Sequence, residues 1–150
     1  MPDQPDELLI LLTEVARLVR TRADRRARAH GMTRAQWITL VRLRRQDGMT
    51  QRELAEILEV EPITAGRLVD RLACRGLIER RADPADRRVW RLHLTAAADP
   101  VLAEIDAARR GFAAETMQGL GEAERSATRA ALLRLKANLL APDADAGEAA

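Results

Sequence analysis

Cysteine is nearly missing from this chain. Cys74 is the only one in 150 residues, which excludes an intramolecular disulfide and a multi-cysteine zinc site. Histidine is as scarce: His30 and His93 stand in no ligand spacing, and no cluster of Cys, His and acidic residues suggests a metal sensor. Tyrosine is absent, leaving Trp37, Trp90 and Phe112 as the aromatics. A single-strand nucleic-acid binder needs stacking platforms, so that class loses support. No apolar run reaches the length of a membrane span. The stretch LLILLTEVARLV near the start is broken by Thr13, Glu14 and Arg17 and is preceded by acidic residues rather than lysines. That is unlike a signal peptide, and a cytoplasmic protein with no membrane partner is expected. Catalysis has no footing either. There is no nucleophile–base pair and no glycine-rich phosphate loop, so neither enzyme activity nor a cofactor is expected.

What the chain has in quantity is arginine. Of 25 basic residues, only Lys136 is a lysine. A net charge of +2 conceals blocks: residues 17–52 hold eleven arginines against Asp24 and Asp47, and residues 62–95 hold eight against Asp70, Glu79, Asp83 and Asp86. The first sixteen residues and the last third are net acidic. Segregated charge of this kind suits a polyanion-facing surface, although for residues 17–28 a solvated helix face is the simpler reading. Arginine is also the side chain suited to bidentate phosphate and guanine contacts.

The apolar spacing organises the chain. Residues 6–29 carry Leu8, Leu11, Leu12, Val15, Leu18, Val19 and Ala23 at helical intervals, and His30-Gly31 ends the helix. Thr33 with Gln36 reads as a capping box opening a second helix, whose inward residues include Trp37, Leu40 and Leu43. Asp47-Gly48 stops it. A second box, Thr50 with Glu53, opens a short helix through Leu58. After a brief turn, Pro62 takes a first helical position in a helix running to Arg75. Gly76 closes it. LIERR and VWRLHLT then read as two strands joined by a charged hairpin tip, ADPADRRVW, residues 82–90. In this alternation Trp90 packs beneath the hairpin with Leu92 and Leu94, while His93 points outward. Thr95 is expected to cap a long helix bent by Pro100 in its second turn, and Gly119 and Gly121 mark a break before a last helix. The tail, residues 141–150, is expected to be disordered.

Two short helices with a tight turn make a helix-turn-helix, whose second helix fits a major groove. Opposite Leu68 and Leu72 that helix carries Thr64, Arg67 and Arg71, with Ile63 and Gly66 at its exposed start. A strand pair tipped by Arg87 and Arg88 would reach the adjoining minor groove, so the hairpin is a wing.

These residues carry a resemblance. TQRELAEILEVEPITAGRLVDRLACRGLIERRADPADRRVWRLHLT resembles the core of the MarR family of bacterial transcriptional regulators, nearest to its SlyA-like branch. The likeness extends through GMTRAQW and LGEAERSATRAALLRLKANL and covers roughly residues 6–140. It implies a mainly α fold with a small β-wing. The winged helix-turn-helix domain would span residues 33–94, and a helical dimerisation region residues 6–29 and 95–140. It further implies a homodimer on double-stranded DNA that reads a pseudo-palindromic operator, most simply as a repressor answering to a small-molecule effector. Carried over by position, the major-groove contacts are Pro62, Thr64 and Arg67. The wing contact is Arg88, helped by Arg87, with Asp86 orienting the pair. Thr50 and Gln51 would touch phosphate through side-chain or backbone donors. The chain departs from the family where its dimer and pocket helices often carry aromatics, having Ala23, Ala27, Ala107 and Ala108 instead.

Several residues have a plainer reading. Trp37 falls on an apolar helix face and is most simply core, with a ligand-pocket wall as the alternative. His30 is expected to satisfy helix-end carbonyls. Cys74, flanked by Arg71 and Arg75, is read as incidental; the alternative is a thiol-based redox sensor, although redox-sensing members of the family carry a cysteine near the first helix and this chain has none there. A further alternative is a helical protein-interaction dimer whose arginine tip meets an acidic protein. Salt-dependent binding to a random duplex separates that from a DNA binder.

Overall fold

A computed structural model describes residues 5–141; residues 142–150 of the tail lie outside the described residues. The elements are α1 (Pro5–Ala29), α2 (Arg34–Arg45), β1 (Met49–Thr50), α3 (Gln51–Leu58), α4 (Pro62–Cys74), β2 (Ile78–Ala82), β3 (Trp90–Leu94), α5 (Ala98–Thr116) and α6 (Glu122–Leu140). The chain divides into two compact units, Met1–Arg110 and Gly111–Ala150, with α5 running from one into the other.

In the first unit, both expected capping boxes are formed. The Thr33 hydroxyl accepts the Gln36 N–H at 3.2 Å, and the Gln36 side chain accepts the Thr33 N–H at 2.8 Å. Thr50 and Glu53 repeat the exchange at 3.2 and 2.6 Å. Each box satisfies backbone donors that a helix start leaves open and stabilises by about 1 kcal/mol. Pro62 stands at the start of α4, where a missing N–H costs nothing. Between α3 and α4, Glu59 adopts a left-handed conformation (φ 54°) that makes the turn abrupt.

The sheet has three strands where the sequence suggested two. Its order is β1-β3-β2, all antiparallel, with Met49 opposite Leu92 and Thr50 opposite Arg91. Gly48 makes the approach to β1 workable. It has φ +77°, and a Cβ there would stand 3.3 Å from His93 Cε1. One core gathers under the sheet and helices: Leu40, Leu43, Met49, Leu54, Val69, Leu72 and Leu92 are fully buried. Each such side chain contributes about 1.5–3 kcal/mol of hydrophobic stabilisation.

Two expectations for the long helix fail for related reasons. Thr95 is not its cap: the Thr95 hydroxyl donates to the Gly76 carbonyl and its N–H to the Leu77 carbonyl, closing the sheet, and the helix begins three residues later at Ala98. Pro100 therefore lies in the first turn, where its missing N–H has no intrahelical partner to lose, so it need not bend the helix. Leu102 and Ile105 of α5 join the core, and Asp106 takes a bidentate ion pair from Arg44 at 2.7 and 2.9 Å. That pairing holds the Asp106 carboxyl below its usual range and raises Arg44.

In the second unit, α6 opens with the Gly121 N–H donating to Glu124 at 2.7 Å and buries no residue of its own. Leu132, Leu133, Leu139 and Leu140 are all exposed. In the first unit Leu8, Leu9, Ile10, Leu11, Val15 and Leu18 of α1 are exposed too. Among the described residues no helix is long and apolar enough to cross a membrane.

Candidate nucleic-acid interface

The α4 helix is two-faced. Ala65, Val69 and Leu72 are buried, while Pro62, Ile63, Thr64, Arg67 and Arg71 are exposed, Ile63 at 66%. Gly66 has a different place from the one expected. It is half-buried, and a Cβ there would stand 2.9 Å from Gln51 Nε2, where α4 meets the start of α3.

Thr50 and Gln51 are both present at the start of α3, but their side chains are already engaged. The Thr50 hydroxyl is bound by Glu53 as a cap, and the Thr50 backbone N–H donates to the same carboxylate. Those bonds, the backbone one first, hold Glu53 below the usual carboxylate range. Gln51 donates to the Pro62 carbonyl at 3.3 Å and accepts from Arg80 at 3.5 Å. Their side chains are therefore scaffold. Of these two residues, the donors left for a phosphate are the Gln51 backbone N–H in the open first turn of the helix and the second N–H of its carboxamide.

The wing is built on Asp83, a residue of the hairpin tip that is not among the expected contacts. Its carboxylate accepts the N–H groups of Ala85 at 2.7 Å and Asp86 at 3.2 Å and pairs with the Arg91 guanidinium. Arg91 in turn donates to the Gly48 carbonyl at 2.8 Å. Arg91, then the two amides, hold the Asp83 carboxyl below its ordinary value. The tip is thus tied to both the turn and β1. Asp86 does not orient the arginine side chains; it accepts the Arg88 backbone N–H at 3.0 Å and fixes the chain beneath them. Arg87 and Arg88 remain exposed.

Ion pairing separates the arginines of this region into two sets. Arg80 pairs with Asp70 of α4 at 2.6 Å, Arg81 with Glu79, and Arg91 with Asp83. Arg75 donates to the Gly31 carbonyl. That uses three of the four acids, and Asp86 is committed to a backbone amide. The guanidinium groups of Arg67, Arg71, Arg87 and Arg88 have no carboxylate partner among the described residues. Paired arginines build the scaffold. The unpaired ones project from the outer face of α4 and from the wing tip, and the Arg80–Asp70 pair links α4 to β2 of the wing.

Trp90 was expected beneath the wing, yet it is 55% exposed. Its face is the expected one, shared with buried Leu92, but its cross-strand neighbour there is the small, exposed Ala82. His93 does not point free; it bonds Asp47 at 2.8 Å and is half-buried. His30 stacks at a tilt on Trp37, with ring centres 5.5 Å apart, and faces Glu104 at 3.6 Å rather than helix-end carbonyls. Trp37 is core, at 7% exposure, and its indole N–H is buried without a partner. It also lines a cavity of about 40 Å³ with His30, Met32, Arg75, Val101, Glu104 and Ile105. Cys74 is exposed at the end of α4. Among the described residues no three His, Cys, Asp or Glu side chains are grouped to hold a metal ion.

Comparison with known proteins gives this geometry a context. Residues 32–90 match the model of the MarR family. The solved structure of a transcriptional regulator, PA3341, shares 38% identity at a TM-score of 0.76, over 88% of this chain and 97% of that one. The transcriptional regulator SlyA shares 27% at 0.74, over 88% and 93%. A MarR family transcriptional regulator from Listeria monocytogenes, solved with a 26mer DNA, shares the fold at 24% identity and a TM-score of 0.74, over 93% and 90%. With its winged helix-turn-helix, its flanking helices and these relatives, the chain belongs to the MarR family.

Proposed function

We propose that the protein is a homodimeric transcriptional regulator that binds double-stranded DNA in a sequence-specific way and acts as a ligand-responsive repressor. The observation that carries this reading is the division of the arginines. Four guanidinium groups without a carboxylate partner project from α4 and the wing tip, while Asp70, Glu79 and Asp83 are each paired with another arginine. In this reading Pro62, Thr64 and Arg67 meet base edges in the major groove, and Arg88 with Arg87 enters the minor groove. Residues 6–29 and 95–140 form the dimerisation region, supported by the exposed leucines of α1 and α6. Two copies would present recognition helices to half-sites about 10 bp apart.

The cavity beside Trp37 sets a condition on any effector that binds there. At about 40 Å³ it holds little more than a water or two, whereas pockets for drug-sized ligands run to about 300–1,000 Å³. An effector bound there would have to widen the space between α2, α5 and the turn that follows α1. A ligand that prefers the widened form draws the population away from the DNA-binding spacing.

Sequencing genomic fragments retained by the purified protein, followed by salt titration on the recovered site and on a random duplex, tests the reading. Expected are a shared pseudo-palindrome and steep loss of affinity with salt. No duplex binding at low salt would refute it in favour of an acidic protein partner.

A further inference from the structure

Trp90 is a large apolar side chain at the base of a charged wing tip, more than half exposed. The sheet register says which way it faces. Ile78 pairs with Leu94, Arg80 with Leu92 and Ala82 with Trp90, so these six side chains share one face. Ile78 and Leu92 on that face are buried in the core, and Arg80 bridges to Asp70 on α4. Trp90 therefore stands on the side of the wing turned toward the recognition helix, one step of about 7 Å beyond Leu92. Its cross-strand neighbour is a small exposed alanine, Ala82, which leaves the ring uncovered. On α4, Ile63 and Arg67 lie on the same helical stripe as Asp70, at the i−7 and i−3 positions.

We infer that Trp90 is a DNA-backbone contact, its indole lying against the deoxyribose–phosphate ridge that separates the groove read by α4 from the groove entered by Arg88. The inference rests on the duplex-binding reading above. With one element in each groove, the surface between them must straddle the intervening strand. That ridge presents the C–H faces of deoxyribose and the oxygens of phosphate. An indole matches both, with an apolar ring for the sugar and an N–H for the phosphate. The surrounding charge agrees, since the unpaired side chains on either side are Arg67, Arg71, Arg87 and Arg88.

The contact is to backbone and carries no formal charge, which gives it a distinctive signature. Trp90→Ala should weaken binding about tenfold, equally on the cognate operator and on a random duplex. The slope of log affinity against log salt should stay unchanged, because no cation is removed. Trp90→Phe should recover much of the loss by restoring the ring without its N–H. In the unaltered protein Trp37 is buried, so acrylamide quenches chiefly Trp90, and adding duplex should protect that emission. If duplex binds but Trp90 stays fully quenchable and Trp90→Ala binds like wild type, the inference fails while the DNA reading stands. A loss confined to the cognate operator would mean base reading and would overturn the backbone assignment. Protection that rises with protein concentration in the absence of DNA would assign the indole to a protein contact. Wild-type protein that binds no duplex at low salt would remove both readings together.

Discussion

Arg67 and Arg88 are the same residue in two settings, and the setting decides what each can do. Arg67 projects from the exposed face of a helix suited to a major groove, where a guanidinium can grip guanine with two hydrogen bonds. Arg88 stands on a hairpin tip held from below by Asp86, where width and charge of a groove matter more than base identity. Arg67→Ala should therefore cost about 1–3 kcal/mol on the cognate operator and relax preference at one base pair per half-site. Arg88→Ala should weaken binding to many sequences alike and lower the salt slope by about one unit. Footprinting and salt titration of the two variants separate the roles, and an Arg88→Ala variant indistinguishable from wild type would mean the hairpin is no wing. Asp83 contributes differently. Its carboxyl lies below its ordinary value of 3.8 because Arg91 and two amides favour the charged form. The stabilisation this lends is fully present above 3.8 and is lost as pH falls through the lower, folded-state value. Asp83→Asn should lower the melting temperature at pH 7, and the gap from wild type should narrow in melts taken progressively below pH 3.8. A gap that stayed constant with pH would show that the ionised carboxylate is not what holds the turn.

Elements with a local signature were legible in the sequence; those set by distant partners were not. Both capping boxes, the first-turn proline of α4 and the hairpin are written in neighbouring residues and formed as expected. β1 went unread because two residues are too few to show alternation, and what makes Met49 and Thr50 a strand is Leu92 and Arg91, over forty residues away. Thr95 looked like a cap because the sequence does not reveal that the Gly76 and Leu77 carbonyls would claim its hydroxyl and its N–H first. Trp90 stands on the expected face, but alternation along one strand does not say what, if anything, covers the ring. The same limit applies to the site: α4's exposed residues follow from its periodicity, whereas the Asp83–Arg91–Gly48 chain is tertiary. Thr50 shows what the difference means in practice. Since its hydroxyl is consumed by the α3 cap, Thr50→Ala should destabilise the fold by about 1 kcal/mol, seen as a lower urea midpoint. Where the fold remains fully populated, DNA affinity should change little. A large loss of affinity without loss of stability would restore the hydroxyl as a phosphate contact.

At the scale of the whole molecule, the distribution of apolar surface is the remaining guide. The winged part of the first unit closes its core within itself, yet α6 buries none of its residues and leaves Leu139 at 79% exposure. α1 leaves leucines and valines exposed along most of its length. Exposed apolar side chains in such number on a helix suit an interaction site, and the proposed homodimer would bury them against a second copy. Placing charge on α6 should break such a dimer without touching the winged core, because neither Leu132 nor Leu139 belongs to it. The double substitution Leu132→Asp and Leu139→Asp should sediment as a monomer while keeping the helical circular dichroism and cooperative melting of the winged unit. A monomer has one recognition helix and one wing, so its affinity for a full operator should fall to that for a half-site. A second half-site on the same duplex should then give no gain, since the effective concentration conferred by the dimer is gone. If the double variant still sediments as a dimer and still distinguishes a full operator from a half-site, assembly does not run through α6. The exposed face of α1 would then have to carry it alone.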